Sequence, residues 1–321
     1  MGSAMSTLLR ISEMEVGFER RGFRSGTTQA RQRIEGIGAS FLHGYHLALR
    51  TELPALLDGL EAMPAGMRGF GYEGAAMALY LRDRLSIFGG GRFVAFLGDR
   101  GADHVYMAYV GAGWAHARLP FGLRAGLERL DPLLRWLALD GYGFHQGFFH
   151  WPKAVELPRQ VPSRIQGYGR RAFDQGLGRS LWFVDGQDVE AVAATISRFP
   201  AHRQADLWSG AGLAITYAGG ADTEGLAWLR QRAGEHAGWL AQGSAFAVKA
   251  RMRAGNVEPH TERACRALCD MNTEVASAVV DTAQRDLPPD GAEQPAYEAW
   301  RLRIRDGLVA HRAGQLECLG V

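Results

Sequence analysis

ADLWSGAGLAITYAGG, residues 205–220, is mostly apolar, has no proline and stops at paired glycines. It reads as a helix, because Gly-Gly after a periodic apolar run is a C-terminal stop signal. Gly210 sits in its interior, where glycine costs about 1 kcal/mol against alanine. A glycine kept at that cost needs a reason. The close approach of a neighbouring helix supplies one, since only a hydrogen fits at a tight crossing. A second helical run, DVEAVAATISRF (residues 188–199), precedes it and ends before Pro200. Asp188 and Asp206 lie near the two starts, and Asp222 and Thr223 are cap candidates for the run GLAWLRQRA that follows.

Working outward, the same pattern recurs as FLHGYHLAL (41–49), GYEGAAMAL (71–79), AYVGAGWAHA (108–117), FHQGFFHW (144–151), FDQGLGRSL (173–181) and LAQGSAFAV (240–248). Its key glycines are Gly44, Gly74, Gly111, Gly147, Gly176, Gly210 and Gly243, with separations of 30, 37, 36, 29, 34 and 33 residues. That order suggests an older duplication of a three-unit block. A period near 34 holding two short helices is the signature of helical-hairpin arrays of the tetratricopeptide and Sel1-like kind. The expected fold is therefore all-α: about seven helical-hairpin units in a solenoid, then a loop (286–297) and a C-terminal helix, YEAWRLRIRDGLVAHRA. The competing reading is a mixed α/β domain with LWFV (181–184) and HVYMAYV (104–110) as strands; both lie inside the glycine pattern, which argues against it. Residues 27–315 form a single repeat domain in this reading. Residues 1–26 comprise an expression remnant (MGSA, with the natural start at Met5) and a loose basic arm.

With 47% hydrophobic residues in 321, there is ample material for a core, and a net charge of +2 points to no nucleic-acid partner. Only Lys153 and Lys249 among the 36 basic residues are lysine. Acidic residues are interspersed with the arginines, so codon bias in a GC-rich genome explains the excess better than phosphate recognition. Cys265, Cys269 and Cys318 make neither a full set of bridges nor a metal site, so the chain reads as reduced and cytoplasmic. No apolar run of about 18 residues predicts a membrane span, and the N-terminus lacks the apolar stretch of a signal peptide.

In a repeat array, equivalent positions stack into a column on one face. The two positions before each key glycine carry Glu73, Tyr109, His145, Gln146, Asp174, Gln175 and Trp208, beside packing glycines. They suggest a groove lined by polar and aromatic groups, or polar groups that bond neighbouring helix ends inside the array. The densest cluster adds Phe144, Phe148, Trp151, Arg179 and Trp182. His145 and Asp174 form an acid/base pair if adjacent units bring them together, and a carboxylate held there has a raised pKa. A second candidate is Pro259-His260-Thr261-Glu262, whose structural reading has Thr261 as a helix cap and His260 exposed. No nucleophile elbow, Walker loop or His-Glu-x-x-His occurs, no metal site is expected, and no pattern names a cofactor.

RGFGYEGAAM (68–77), HVYMAYVGAGWAHARLP (104–120), LDPLLRWLALDGYGFHQGFF (130–149), FDQGLGRSLWFV (173–184), ADLWSGAGLAITYAGG, AQGSAFAVKARMRAG (241–255) and PHTERA (259–264) resemble the domain of unknown function 1702 family, from about Arg21 to Arg312. Many of its members are labelled enediyne biosynthesis proteins because their genes lie in actinobacterial enediyne polyketide clusters. The resemblance implies that biosynthetic setting and brings no catalytic residues. Three functions follow as expectations: an enzyme acting on an apolar conjugated polyketide intermediate, a scaffold for a biosynthetic partner protein, and a protein that sequesters a reactive product. A closed apolar cavity favours the first and third; an open polar concave face favours the second.

Overall fold

Thr27 caps the first long helix by accepting from the Ala30 amide at 3.1 Å, and Gly219, in the left-handed region at φ 69°, ends the sixth. The computed structural model describes residues 9–24, 26–86, 90–156, 160–291 and 294–318, with side chains as far as Arg312. Among these residues there is no strand. The segments that could have been strands, 181–184 and 104–110, fall within helices and their first turns. The chain's proposed remnant, Met1–Ala4, and its start at Met5 lie outside the described residues, as does the Cys318 side chain.

Seven long helices carry the glycine pattern: α1 (Thr28–Arg50), α2 (Ala65–Leu85), α3 (Val105–Arg118), α4 (Arg135–Trp151), α5 (Gly169–Val184), α6 (Ala201–Ala218) and α7 (Ala237–Arg253). Each packs on the next in chain order. Shorter outer helices, such as Leu53–Glu61, Val189–Ser197 and Thr223–Ala233, return the chain between some of them. Asp188 and Asp222 cap the last two of these, as their spacing predicts. Asp206, placed near a helix start by the sequence, instead lies inside α6, because Pro200 already opens that helix.

The glycines act in pairs two residues apart. Gly176 is aimed at the Asp140 backbone of α4 and Gly178 at the Leu207 backbone of α6, so α5 is gripped closely on both sides. Gly111 with Gly113, Gly141 with Gly143, and Gly210 with Gly212 repeat the arrangement in α3, α4 and α6. This corrects the register of the fourth unit. Its key glycine is Gly141, against the Val110 backbone, whereas Gly147 faces the Ser180 and Leu177 side chains. The separations from Gly74 to Gly243 then become 37, 30, 35, 34 and 33, and the pattern that suggested a three-unit duplication disappears.

The row of helices curls back on itself. The Arg33 guanidinium of α1 donates to the Ala218 carbonyl at the end of α6 at 3.4 Å, and Arg251 of α7 donates to the Gly66 carbonyl of α2 at 3.1 Å. Helices α8 (Pro259–Cys269), α9 (Thr273–Gln284) and α10 (Ala296–Cys318) close the C-terminal side against α7. The fully buried Arg301 of α10 pairs with Asp206 at 2.7 Å and Glu298 at 3.1 Å, and Arg171 pairs with both carboxylates from the other side. Burying these charges is tolerable because each is compensated. Cys265 and Cys269 are free and buried in α8.

The N-terminal segment is not a loose arm. Ile11, Val16, Phe18 and Phe23 are all buried. Arg24 reaches the buried Asp185 and Thr195, Trp151 donates to the Arg21 carbonyl at 2.9 Å, and the Tyr45 hydroxyl donates to the Leu9 carbonyl at 2.7 Å. The segment thus lies across one end of the curled row.

Candidate functional site

Curling the row brings one face of each of α1 to α6 around a common axis. The space between them is a cavity walled by Phe41 of α1, Phe70 of α2, Trp114 of α3, Phe144 and Phe148 of α4, Phe183 of α5 and Tyr217 of α6. Ile11 and Val16 of the N-terminal segment complete it. Its free space is about 40 Å³, room for only a few water molecules. The rings meet at tilted and edge-on angles, as in Phe41–Trp114 at 4.6 Å and Phe144–Phe183 at 5.3 Å between centroids.

Two charged residues interrupt this lining, Glu73 of α2 and Arg179 of α5. Glu73 occupies the position before the key glycine, so the same crossing that requires Gly74 turns its carboxyl inward. Its pKa is raised to about 7. Burial is the main cause; Arg179 and Trp114 oppose the rise and Asp140 adds to it. Glu73 therefore exchanges a proton near neutral pH. Arg179 pairs with Asp140, the residue before the corrected glycine of α4, and its guanidinium carbon lies 5.1 Å from the Phe144 ring centre. Asp140 Oδ2, Arg179 Nε and Tyr217 Oη are buried without a hydrogen-bond partner in the protein.

Of the residues marked in the sequence, the cavity gathers Glu73, Phe144, Phe148 and Arg179. It does not gather the proposed acid/base pair. Asp174 is held by Arg203 of α6 through a two-point ion pair, Nε to Oδ2 at 2.8 Å. His145 instead packs on Trp114 at 5.5 Å and Phe149 at 4.8 Å, and burial pushes its pKa well below the usual value, leaving it neutral. No hydrogen bond or ion pair joins the two, because one faces α6 and the other α3. Burial does raise the Asp174 pKa, as expected, with Arg203 opposing. Trp182 is fully buried and donates to the Gly219 carbonyl at 2.9 Å, and Trp208 is buried in the core. Tyr109 accepts from the Asp131 amide at 3.3 Å, and Gln175 accepts from Tyr297 at 3.4 Å. Trp151 anchors the N-terminal segment, and Gln146 lines a separate outer crevice with His150 and Lys153. His260 is not simply exposed: its ring meets the Tyr217 carbonyl at 3.1 Å, and Thr261 is buried inside α8, which starts at Pro259.

Sequence reasoning missed Trp114, Tyr217 and Asp140. The repeat itself held a signal for Asp140: with the glycine pairs aligned, it stands where Glu73, Gln175, Ser209 and Gln242 stand. Among the described residues, no group of three or more His, Cys, Asp or Glu side chains is placed to share a metal ion, and no helix is long and apolar enough to cross a membrane.

Fold and site together define an all-helical protein with an aromatic internal cavity that holds one titratable acid. The family model for proteins of unknown function DUF1702 matches residues 1–308, and the chain belongs to that family. No curated protein and no solved structure matches it.

Proposed function

We propose that the protein works in the cytoplasm in the biosynthesis of an enediyne-type polyketide, and that it binds an apolar, conjugated intermediate inside the curl of α1 to α6. In this role Glu73 is the group that gives or takes a proton, and the Arg179–Asp140 pair fixes the local field. The observation that carries the reading is a titratable carboxyl on the wall of an otherwise aromatic cavity. Small-molecule sites combine an apolar lining with a few placed polar groups in this way, and a carboxyl with its pKa near working pH is suited to general acid catalysis. The biosynthetic setting rests on the family resemblance. Each long helix, with the short helix or turn that follows it, is read as one of about seven helical-hairpin units of the tetratricopeptide or Sel1-like kind, a reading supported by the glycine pairs repeated in α3 to α6.

The cavity is small at rest, so a ligand must widen it. The N-terminal segment is the part of the wall suited to move. Val16 and Leu42 line both the cavity and an open crevice between that segment and α1. The test is to incubate the purified protein with extract of a cluster-expressing strain and examine it by native mass spectrometry. A retained or altered apolar compound, lost in Glu73→Gln or Ala214→Phe, is the expected result. No small molecule on any variant would reject the reading.

A scaffold role draws on a different feature, an open polar crevice among Thr27, Arg33, Gln187, Asp188 and Asp222 at the outer ends of the helices. Capture of a synthase component by the intact protein, abolished by Arg33→Glu, would favour it.

A further inference from the structure

Two apolar cavities, rather than one, lie along the axis of the curl. The second is bounded by Tyr106 and Met107 of α3, Phe246 of α7 and Trp300 of α10. Arg179, Leu213 and Tyr217 line both cavities, so the partition between them consists of side chains. Side chains rotate and backbone does not, so a ligand that displaces these three joins the cavities into one channel.

The partition is also where polar groups are left over. Arg179 and Tyr217 are 5% and 3% exposed, yet Arg179 Nε and Tyr217 Oη have no hydrogen-bond partner in the protein. A buried polar atom left unpaired costs about 1–3 kcal/mol, which a ligand oxygen at this point would recover. The Tyr217 ring is held between Arg251, 4.0 Å from the ring centre, and Phe70 at 5.3 Å, with its hydroxyl against Gly69, one turn before Glu73. The groups acting on Glu73 are Arg179, Asp140 and Trp114. With Glu73 protonated, the Arg179 and Asp140 charges cancel, and the terminal nitrogens of Arg251 are already donated to the Gly66, Asn256 and Tyr217 carbonyls, so a ligand charge would lack a free partner.

We infer that the channel takes an elongated, uncharged apolar chain that spans both cavities and carries a ketone or hydroxyl in its interior, received at Arg179 and Tyr217. This rests on the reading of the first cavity as a ligand site and adds the shape and polarity of the ligand. An oxygen at the chain end would leave one cavity unfilled, and a carboxylate would bring an unpaired charge.

The experiment is displacement of the fluorescent apolar probe aminoanthracene from the full-length protein. The competitors are a fifteen-carbon ketone with its carbonyl at the centre, its isomer with the carbonyl at the second carbon, the parent alkane and the fatty acid of the same length. The central ketone should displace the probe at about tenfold lower concentration than the others. The preference should vanish in Tyr217→Phe, which keeps the ring and loses the hydroxyl. Ala250→Phe, which fills part of the second cavity and does not line the first, is the second variant and should remove the preference; a preference kept in this variant would overturn the inference. If the probe binds but all competitors act equally, the inference is overturned while the ligand-site reading stands. If the probe does not bind the wild-type protein, both fall.

Discussion

Replacing Gly176 by alanine places a methyl carbon 2.5 Å from the Asp140 carbonyl carbon and closer still to its oxygen. Comfortable carbon–carbon contact begins at roughly 3.5 Å, so α4 and α5 must part by about 1 Å at their crossing. The obstacle is backbone, which cannot rotate aside. Gly178 meets α6 as closely on the opposite face, so α5 has no room to retreat. Overpacking of this kind costs about 1–3 kcal/mol, and a backbone obstacle places it near the top. Alanine's better helix propensity returns about 1 kcal/mol, leaving a net loss of about 2 kcal/mol. The control is Gly36→Ala in α1, the same chemical change with nothing within 4 Å of the added carbon. It should gain about 0.5–1 kcal/mol. Equilibrium urea unfolding followed by circular dichroism reads both as shifts in midpoint at unchanged slope. A Gly176→Ala midpoint at or above wild type would refute the close-crossing argument, as would an equal fall in Gly36→Ala.

The remaining predictions concern charge. Glu73 has a raised pKa in the folded protein, so the folded state holds a proton that the unfolded chain has lost; stability due to this group is full below about pH 4.5 and declines until pH passes about 7. The decline amounts to about 3 kcal/mol at most. Buried histidines, with pKa values lowered to about 4 at His104, His116 and His260, act in the opposite sense but only below pH 6.5. Between pH 6.5 and 8, Glu73→Gln should therefore be flatter than wild type in unfolding free energy, and parallel curves would contradict the assignment. Arg301→Met leaves Asp206 and Glu298 short of their shared cation, and thermal unfolding should show a loss of about 3–5 kcal/mol; a change below 1 kcal/mol would mean that Arg171 alone suffices. Folded His145→Ala and Asp174→Asn should still bind aminoanthracene with wild-type affinity, since neither side chain lines the cavity; loss of binding in both would restore the acid/base pair as the site.

The sequence carried the helices and their reason for being close. An interior glycine in a strong helical run signals a crossing without knowledge of the partner. The fourth unit was misaligned because DGYGFHQG offers three glycines, Gly141, Gly143 and Gly147, and the last of them follows the same Phe-x-x-Gly form as Gly44 and Gly176. The choice between them depends on which meets backbone, although the paired form seen at 111–113, 176–178 and 210–212 favours Gly141. Glu73, Phe144, Phe148 and Arg179, singled out in the sequence, do line the cavity; Glu73 precedes a crossing glycine, whereas Phe144 and Arg179, like Trp114 and Leu213, follow the second glycine of a pair. Asp174 sits one residue earlier relative to its own glycine than Glu73 does, and is turned to Arg203, 29 positions away on the next helix. The N-terminal segment was illegible for a related reason. Ile11, Val16, Phe18 and Phe23 have no local period, and their burial depends on long-range docking against α1, α4 and α5.

On the proposed function, an apolar molecule lies inside the curl of helices. The direct measurement is an anomalous difference map from crystals of the protein soaked with a bromine-bearing alkane. The expected result is a bromine peak enclosed by Phe41, Trp114, Phe144 and Phe183, with those rings displaced and the N-terminal segment shifted. Peaks confined to the outer crevices, with the aromatic rings unmoved, would contradict it.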